Sequence, residues 1–369
     1  MIDRRGFLVS SALLASGVAA IKTGKIAAAS KVRCGVLGLG HAHALDVVEV
    51  LKASEDFELA GVCEPDPVVR ADVEKSTALS GVTWLEQDEL LRDDTVKMVA
   101  VESVVEKLLD YAHAAADARK HVHLDKPAGT SLSAFKALLD KLEQRDLLLQ
   151  MGYMYRYNAG FDFARRAVRE GLLGDVYRIN GCIDTDYTPE KRKRLAGRPG
   201  GMMFELGCHL LDMAMLMLGA PKKVTPFLRH DLKQDDNLFD NTCAVFDYDT
   251  AMVVIESSAM RPNAFPTRRF EVCGTNGCVT VEPHEPPTVR LNLRKARGEF
   301  KGCLQGITVE DQPRHVRDFQ DLARCIRGEA RFVYSKKHDL DVQRALLRAS
   351  GVNSGDAILN SRSEGRSVI

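Results

Sequence analysis

The chain of 369 residues has no excess of either charge, no C-x-x-C pair, no internal repeat and no long apolar run. Each absence removes a class of function. Its 51 basic and 51 acidic residues cancel to a formal net charge of zero. The long-range attraction on which nucleic acid or an anionic membrane surface depends is therefore missing, and a small, near-neutral substrate fits better. Nine cysteines are scattered at 34, 63, 182, 208, 243, 273, 278, 303 and 325. Their spacing argues against a zinc ribbon or a thioredoxin-type site, and their odd number against a complete disulfide framework. Cys34, Cys63 and Cys243 sit in apolar, strand-like runs, where a thiol behaves as a small hydrophobe. What is present is ordinary for a globular protein, 45% hydrophobic and 28% charged. The length predicts two domains, because single cores rarely grow past roughly 250–300 residues.

Residues 1–30 read as a targeting segment rather than as part of the fold. Asp3-Arg4-Arg5-Gly6-Phe7-Leu8 precedes a mildly apolar run of small residues over 9–20 and then Ala27-Ala28-Ala29. A basic start, a short apolar centre and a small-residue cleavage zone make a signal, and the centre is too short to span a bilayer. Arg4-Arg5 followed by Phe7-Leu8 resembles a twin-arginine export signal, an address read by a receptor rather than an anchor. The expectation is a periplasmic or otherwise exported protein. It is handled by the twin-arginine (Tat) export machinery and has no membrane anchor in its mature form. That route carries folded proteins, so an exported dinucleotide enzyme has to bring its cofactor along.

From residue 32 onward, short apolar runs alternate with amphipathic stretches. Strands are predicted over 32–37, 57–63, 96–101, 121–124 and 147–151, with helices over 43–52, 66–77, 104–118 and 133–144. This alternation implies βαβ units and a doubly wound parallel sheet. The second half differs. A helix over 159–170 leads to a strand over 176–184, a charged loop over 188–198 and a long apolar helix ending near Gly219. Strands are then predicted over 224–229, 242–248, 252–258, 269–273 and 278–282, and helices over 312–327 and 339–350. Strands in succession with short links indicate a mostly antiparallel sheet. The fold class is therefore α/β. A Rossmann domain over 31–151 is followed by an α/β domain over 152–369 that carries a large, mostly antiparallel sheet.

Gly38-Leu39-Gly40 follows a predicted strand and opens a predicted helix. In that context the first glycine permits a tight turn, the second lets the backbone approach a pyrophosphate, and the helix N-terminus offers free N–H groups. His43 stands at the third glycine position of the fingerprint. Glu64 ends the second strand, 24 residues after Gly40, where a carboxylate accepts from ribose hydroxyls. Asp66 is the neighbouring candidate. No arginine immediately follows Glu64 to meet a 2′-phosphate, so NAD is favoured over NADP. His41 and His43 are expected beside the cofactor phosphates or in solvent. Two apart at a helix start, they are not expected to point together, so no metal site is predicted.

Two further motifs carry chemistry. Lys126, in His123-Leu124-Asp125-Lys126-Pro127, follows a strand at the carboxyl edge of the parallel sheet, where ligands of open α/β sheets bind. In Gly200-Gly201-Met202-Met203-Phe204-Glu205-Leu206-Gly207-Cys208-His209-Leu210-Leu211-Asp212, a helical frame puts Glu205, His209 and Asp212 on one face. Polar residues amid Met, Leu and Phe are costly to bury without partners, so His209 with flanking carboxylates reads as an oriented acid/base.

Taken with Gly152-Tyr153-Met154-Tyr155-Arg156-Tyr157-Asn158, Asp240-Asn241 and Gly274-Thr275-Asn276-Gly277, these motifs resemble the Gfo/Idh/MocA oxidoreductases over about residues 31–350. The resemblance implies oxidation of a secondary CH–OH on a sugar or polyol by NAD. Lys126 would polarise the hydroxyl, His209 would take its proton, and Glu205 would orient the histidine or bind a neighbouring hydroxyl. Tyr153, Arg156, Asn158 and Asp212 would shape the sugar pocket. Asp125 replaces the usual glutamate before Lys-Pro, Glu205 replaces the usual aspartate, and Glu102-Ser103 replaces a proline-containing turn. Export implies a tightly bound NAD recycled within one active site. One alternative is a redox-neutral NAD-dependent glycosidase on the same fold; another is a non-catalytic sugar- or nucleotide-binding protein. A homodimer or homotetramer is expected, because one face of the second sheet needs cover.

Overall fold

The structure is a computed structural model that describes residues 30–352 except residue 233. The expected export segment, residues 1–30, therefore lies outside the described residues except for Ser30. Five parallel strands, β1 (Val32–Leu37), β2 (Phe57–Cys63), β3 (Met98–Val101), β4 (His121–Leu124) and β5 (Leu149–Met151), form a sheet in the order β2-β1-β3-β4-β5. The connections carry α1 (Ala44–Ala53), α2 (Pro67–Val73), α3 (Gln87–Arg92), α4 (Val105–Asp117) and α5 (Leu132–Gln144). All four residues of β3 are buried, as a parallel strand covered on both faces requires. Local chemistry fixes the helix starts. Asp66 accepts the N–H groups of Val68 and Val69 ahead of α2, and Ser131 accepts that of Ala134 ahead of α5.

The second sheet contains β6 (Val176–Cys182), β7 (Lys223–Arg229), β8 (Asn241–Asp247), β9 (Met252–Ser258), β10 (Arg269–Gly274), β11 (Gly277–Val281), β12 (Val289–Leu293) and β13 (Leu304–Ile307). Their order is β13-β12-β11-β10-β6-β9-β8-β7, and β6 with β9 is the one parallel pair. Helices α6 (Ala159–Arg169), α7 (Pro189–Leu195), α8 (Cys208–Leu218), α9 (Val316–Ile326) and α10 (Lys336–Ala349) complete the described chain.

Three expectations change. The predicted loop over 188–198 contains α7, started by the Thr188 cap and Pro189; its run of lysines and arginines hides a helical period. Strands β12 and β13 lie in a stretch where prolines and charges mask the alternation. Helix α9, in the 152–369 stretch, contributes Phe319, Leu322 and Ala323 to a core that also holds Val36, Val47 and Val48. The second half of the chain therefore packs against the first sheet. Among the described residues, no helix is long and apolar enough to cross a membrane. All nine cysteines are free.

Candidate functional site

The turn after β1 is built for close approach. Gly38 has φ +84, and a Cβ there would lie 2.6 Å from the Cβ of Ser103. A Cβ on Gly40 would meet Val104 at 2.7 Å. Both positions therefore require glycine. Helix α1 begins at Ala44 with no side-chain cap from His43, leaving its N-terminus open to an anion. Glu64 follows β2 directly and accepts from Leu39 N–H at 2.5 Å and from Asp66 N–H at 2.9 Å. Burial pushes its carboxyl up. Asp66 caps α2, whereas Glu64 is tied to the glycine turn itself through Leu39 N–H. Glycine turn, helix end and Glu64 together fit a dinucleotide.

Lys126 is buried just after β4, and its Nζ donates to the backbone oxygen of Glu205 at 3.0 Å. Burial works against its charge, but the Glu205 carboxylate, with Cys208 and Asp125, outweighs this and holds the pKa above the usual lysine value. Glu205 accepts from Arg198 at 2.7 Å. Burial alone would raise its pKa, whereas Lys126, Arg198 and His41 bring it down to about 2. The cation that fixes Glu205, Arg198, ends the stretch expected to be a charged loop; the basic cluster before Gly200-Gly201 was its only signal.

His209 is buried, with its Nδ1 unpartnered. Burial, then the charges of Lys126 and His43, hold its pKa well below the ordinary histidine value. It is therefore a neutral imidazole able to accept a proton. The ring of Tyr153 stands edge-on to it at 6.1 Å, and that of Tyr155 lies 5.3 Å away. The expected acid/base stripe of Glu205, His209 and Asp212 does not form. Residues Met203–Gly207 make a π-helical turn before α8, which re-aims Glu205 toward Arg198, and Asp212 faces a different cluster. Such π turns often sit at functional sites.

That other cluster corrects the sugar-pocket expectation. Arg156 forks onto Asp212 at 2.9 and 2.7 Å and reaches Asp339 at 2.6 Å; His338 lies 2.9 Å from Asp212. The Arg156 and Asp212 side chains are fully buried and spent on each other. Asn158 caps α6 through Gly160 and Phe161 and donates to the His284 carbonyl. These three hold the scaffold. Of the four residues expected in the pocket, only Tyr153 lies against His209.

His41 and His43 also depart from expectation. They lie in the non-helical turn ahead of α1, so the helical-frame argument does not apply, and their rings approach to 4.8 Å. Both converge on Asp125: His41 is in direct contact through Nδ1, and His43 Nδ1 lies 3.4 Å from the same oxygen. The carboxylate is held well below the usual range, because the two histidines outweigh its burial. Burial lowers His43 to about 3. Glu102, directly after β3, is fully buried with neither oxygen in hydrogen-bonding geometry, and burial together with Asp125 raises it well above the carboxylate range. His123, 3.5 Å from Glu102, and His315, whose ring lies 5.3 Å from that of His43, complete the group. In sequence, His315 carried no signal; it arrives from the turn ahead of α9 with φ +63.

Comparison with known proteins agrees with this geometry. The family model for the oxidoreductase family with an NAD-binding Rossmann fold matches residues 32–153, and that for the GFO/IDH/MocA C-terminal domain matches residues 161–280. The scyllo-inositol 2-dehydrogenase (NAD(+)) of Bacillus subtilis is 24% identical over 81% of this chain and 87% of its own length. The D-xylose 1-dehydrogenase (NADP(+)) 2 of Haloferax volcanii is 25% identical over 90% of this chain and 98% of its own. The structure of the UDP-N-acetylglucosamine 3-dehydrogenase GnnA from Acidithiobacillus ferrooxidans superposes with a TM-score of 0.71 at 18% identity, covering 87% of this chain and 97% of that one. The chain belongs to the Gfo/Idh/MocA oxidoreductases, and its cofactor is NAD.

Proposed function

We propose that this family member reversibly oxidises a secondary CH–OH of a sugar or polyol, with Lys126 and His209 as its catalytic residues. The observation that carries the reading is a charged, buried lysine beside a buried, neutral histidine whose Nδ1 has no partner. Lys126 donates to the substrate oxygen, and His209 accepts the hydroxyl proton as the carbonyl forms. Bound NAD supplies the acceptor for the hydride leaving carbon. Glu205 is a positioning residue that keeps Lys126 charged. The Gly38-Leu39-Gly40 turn receives the cofactor's phosphates, and Glu64 its ribose. Tyr153 borders the substrate. The inositol and xylose names of the relatives support the substrate class.

The twin-arginine motif supports an exported enzyme, and with it a NAD that stays bound and is recycled between two half-reactions. The outer face of the second sheet shows Phe227 and Met252 exposed, which supports a homo-oligomer built on that face. The test is to purify the full chain, measure co-eluting NAD, and screen polyols by fluorescence of bound NADH. Stoichiometric NAD that is reduced by one polyol and reoxidised by a keto-sugar is the expected result. A protein that arrives empty and needs millimolar NAD contradicts recycling, and one silent to every polyol contradicts the substrate class.

A further inference from the structure

The ends of β1 and β4 bring together a second kind of chemistry. His41 Nδ1 already accepts the His43 N–H at 3.3 Å, yet it also faces an Asp125 oxygen. A lone pair directed at an N–H cannot also donate to that carboxylate. The other Asp125 oxygen is taken by Lys126 N–H at 2.7 Å. Asp125 Oδ2 touches His41 Nδ1 and lies 3.4 Å from His43 Nδ1, neither in hydrogen-bonding geometry, and His41 Nε2 is buried without a partner. Buried polar atoms in that condition call for an ion or another ligand. One ligand atom from each of His41, His43 and Asp125 falls within 4.8 Å of the others, and a modest rotation of the side chains closes them to the spacing of about 3.4 Å that tetrahedral ligands of one ion adopt.

We propose that His41, His43 and Asp125 form a binding site for a divalent cation of the zinc class. Two imidazoles and a carboxylate suit such borderline ions rather than calcium or magnesium, which prefer oxygen ligands throughout. Three protein ligands leave a position open for water or a substrate oxygen, as in catalytic zinc sites. The His209 ring lies 6.4 Å from that of His43, so an oxygen held on the ion sits near the proton acceptor. The cation also accounts for Asp125 in place of a longer glutamate: with the shorter side chain, the carboxylate meets both histidines beside the glycine turn.

The experiment uses the full chain, stripped with a chelator, reloaded with Co²⁺ and desalted. About one Co²⁺ per chain is expected, with visible absorption bands of a nitrogen- and oxygen-ligated ion. Asp125→Asn and His43→Gln should each lower affinity by at least about tenfold. No retained ion in the wild type overturns the site, as does a thiolate charge-transfer band, which would place the ion on a cysteine. Unchanged affinity in both variants overturns it too. If neither variant folds, the wild-type stoichiometry and spectrum decide alone. None of these readouts requires turnover, so the oxidoreductase reading stands or falls separately.

Discussion

Two buried polar clusters sit three residues apart on α8, one around His209 and one around Asp212, and they are built on opposite rules. Around Asp212, charges are matched: Arg156 meets Asp212 and Asp339, His338 meets Asp212, and the guanidinium lies 5.0 and 4.5 Å from the Tyr153 and Tyr334 rings. Two side-chain atoms there, Arg156 Nη1 and Asp339 Oδ2, lack a hydrogen bond. Around His209, nine do, on His41, His43, Glu102, His123, Asp125, His209 and His315. Burying polar groups without partners costs kilocalories, so the imbalance marks where ligands complete the structure. A closed network is architecture, and an open one is a site.

The contrast can be broken by substitution, beginning with the largest effect. His209→Asn should lower kcat by about 10²–10⁴, the usual worth of a general base. Because the folded-state pKa of His209 lies well below 6.5, wild-type activity should keep its base form down through pH 6.5. An acid limb of kcat/KM at or above that pH, assigned to His209 by its loss in the variant, would contradict the neutral base. In the closed cluster, Arg156→Leu should leave Asp339 buried and unpaired and Asp212 with only His338, at a stability cost of about 3–5 kcal/mol by chemical denaturation. A raised KM with unchanged stability would instead return Arg156 to the sugar pocket.

Gly38→Ala should weaken NAD binding at least about tenfold, since positive φ and contact with Ser103 both oppose a side chain. Gly81→Ala is the control: it has φ +72 but open space around it, so NAD titrations should be unaffected. Glu205→Gln gives the smallest effect, in the shape of a pH curve. With a folded pKa of about 2 against an ordinary 4.5, the ionised Glu205 contributes stability above pH 4.5 that is lost as the pH falls toward 2. The gap in Tm between wild type and variant should therefore narrow over that window. A gap that stays constant there would show that Glu205 is not held ionised.

Much of this was legible in the sequence, because periodicity and turn chemistry act locally. The alternation after residue 32, the glycines at 38 and 40 and the carboxylate at 64 report on their own neighbourhoods. The misreadings share one cause, that partners meet across the fold. Asp212 looked like a member of the His209 stripe until the π-helical turn at Met203–Gly207 separated it from Glu205. Arg156 looked like a sugar ligand until Asp339, 183 residues away, claimed it. His41 and His43 seemed unable to converge because a helical frame was assumed one turn too early. His315 had no local pattern, and Glu102 and Arg198 had only weak ones; tertiary packing brings them to the carboxyl edge of the sheet.

The claim that the open cluster is a hydride-transfer centre rests on Lys126, and Lys126→Met tests it most directly. NAD binding, followed by fluorescence titration, should remain within a few-fold of wild type. Absorbance of NADH after mixing with an accepted polyol should not rise above background. Turnover within about tenfold of wild type, with NAD bound, would show that the lysine polarises nothing and that the chemistry lies elsewhere.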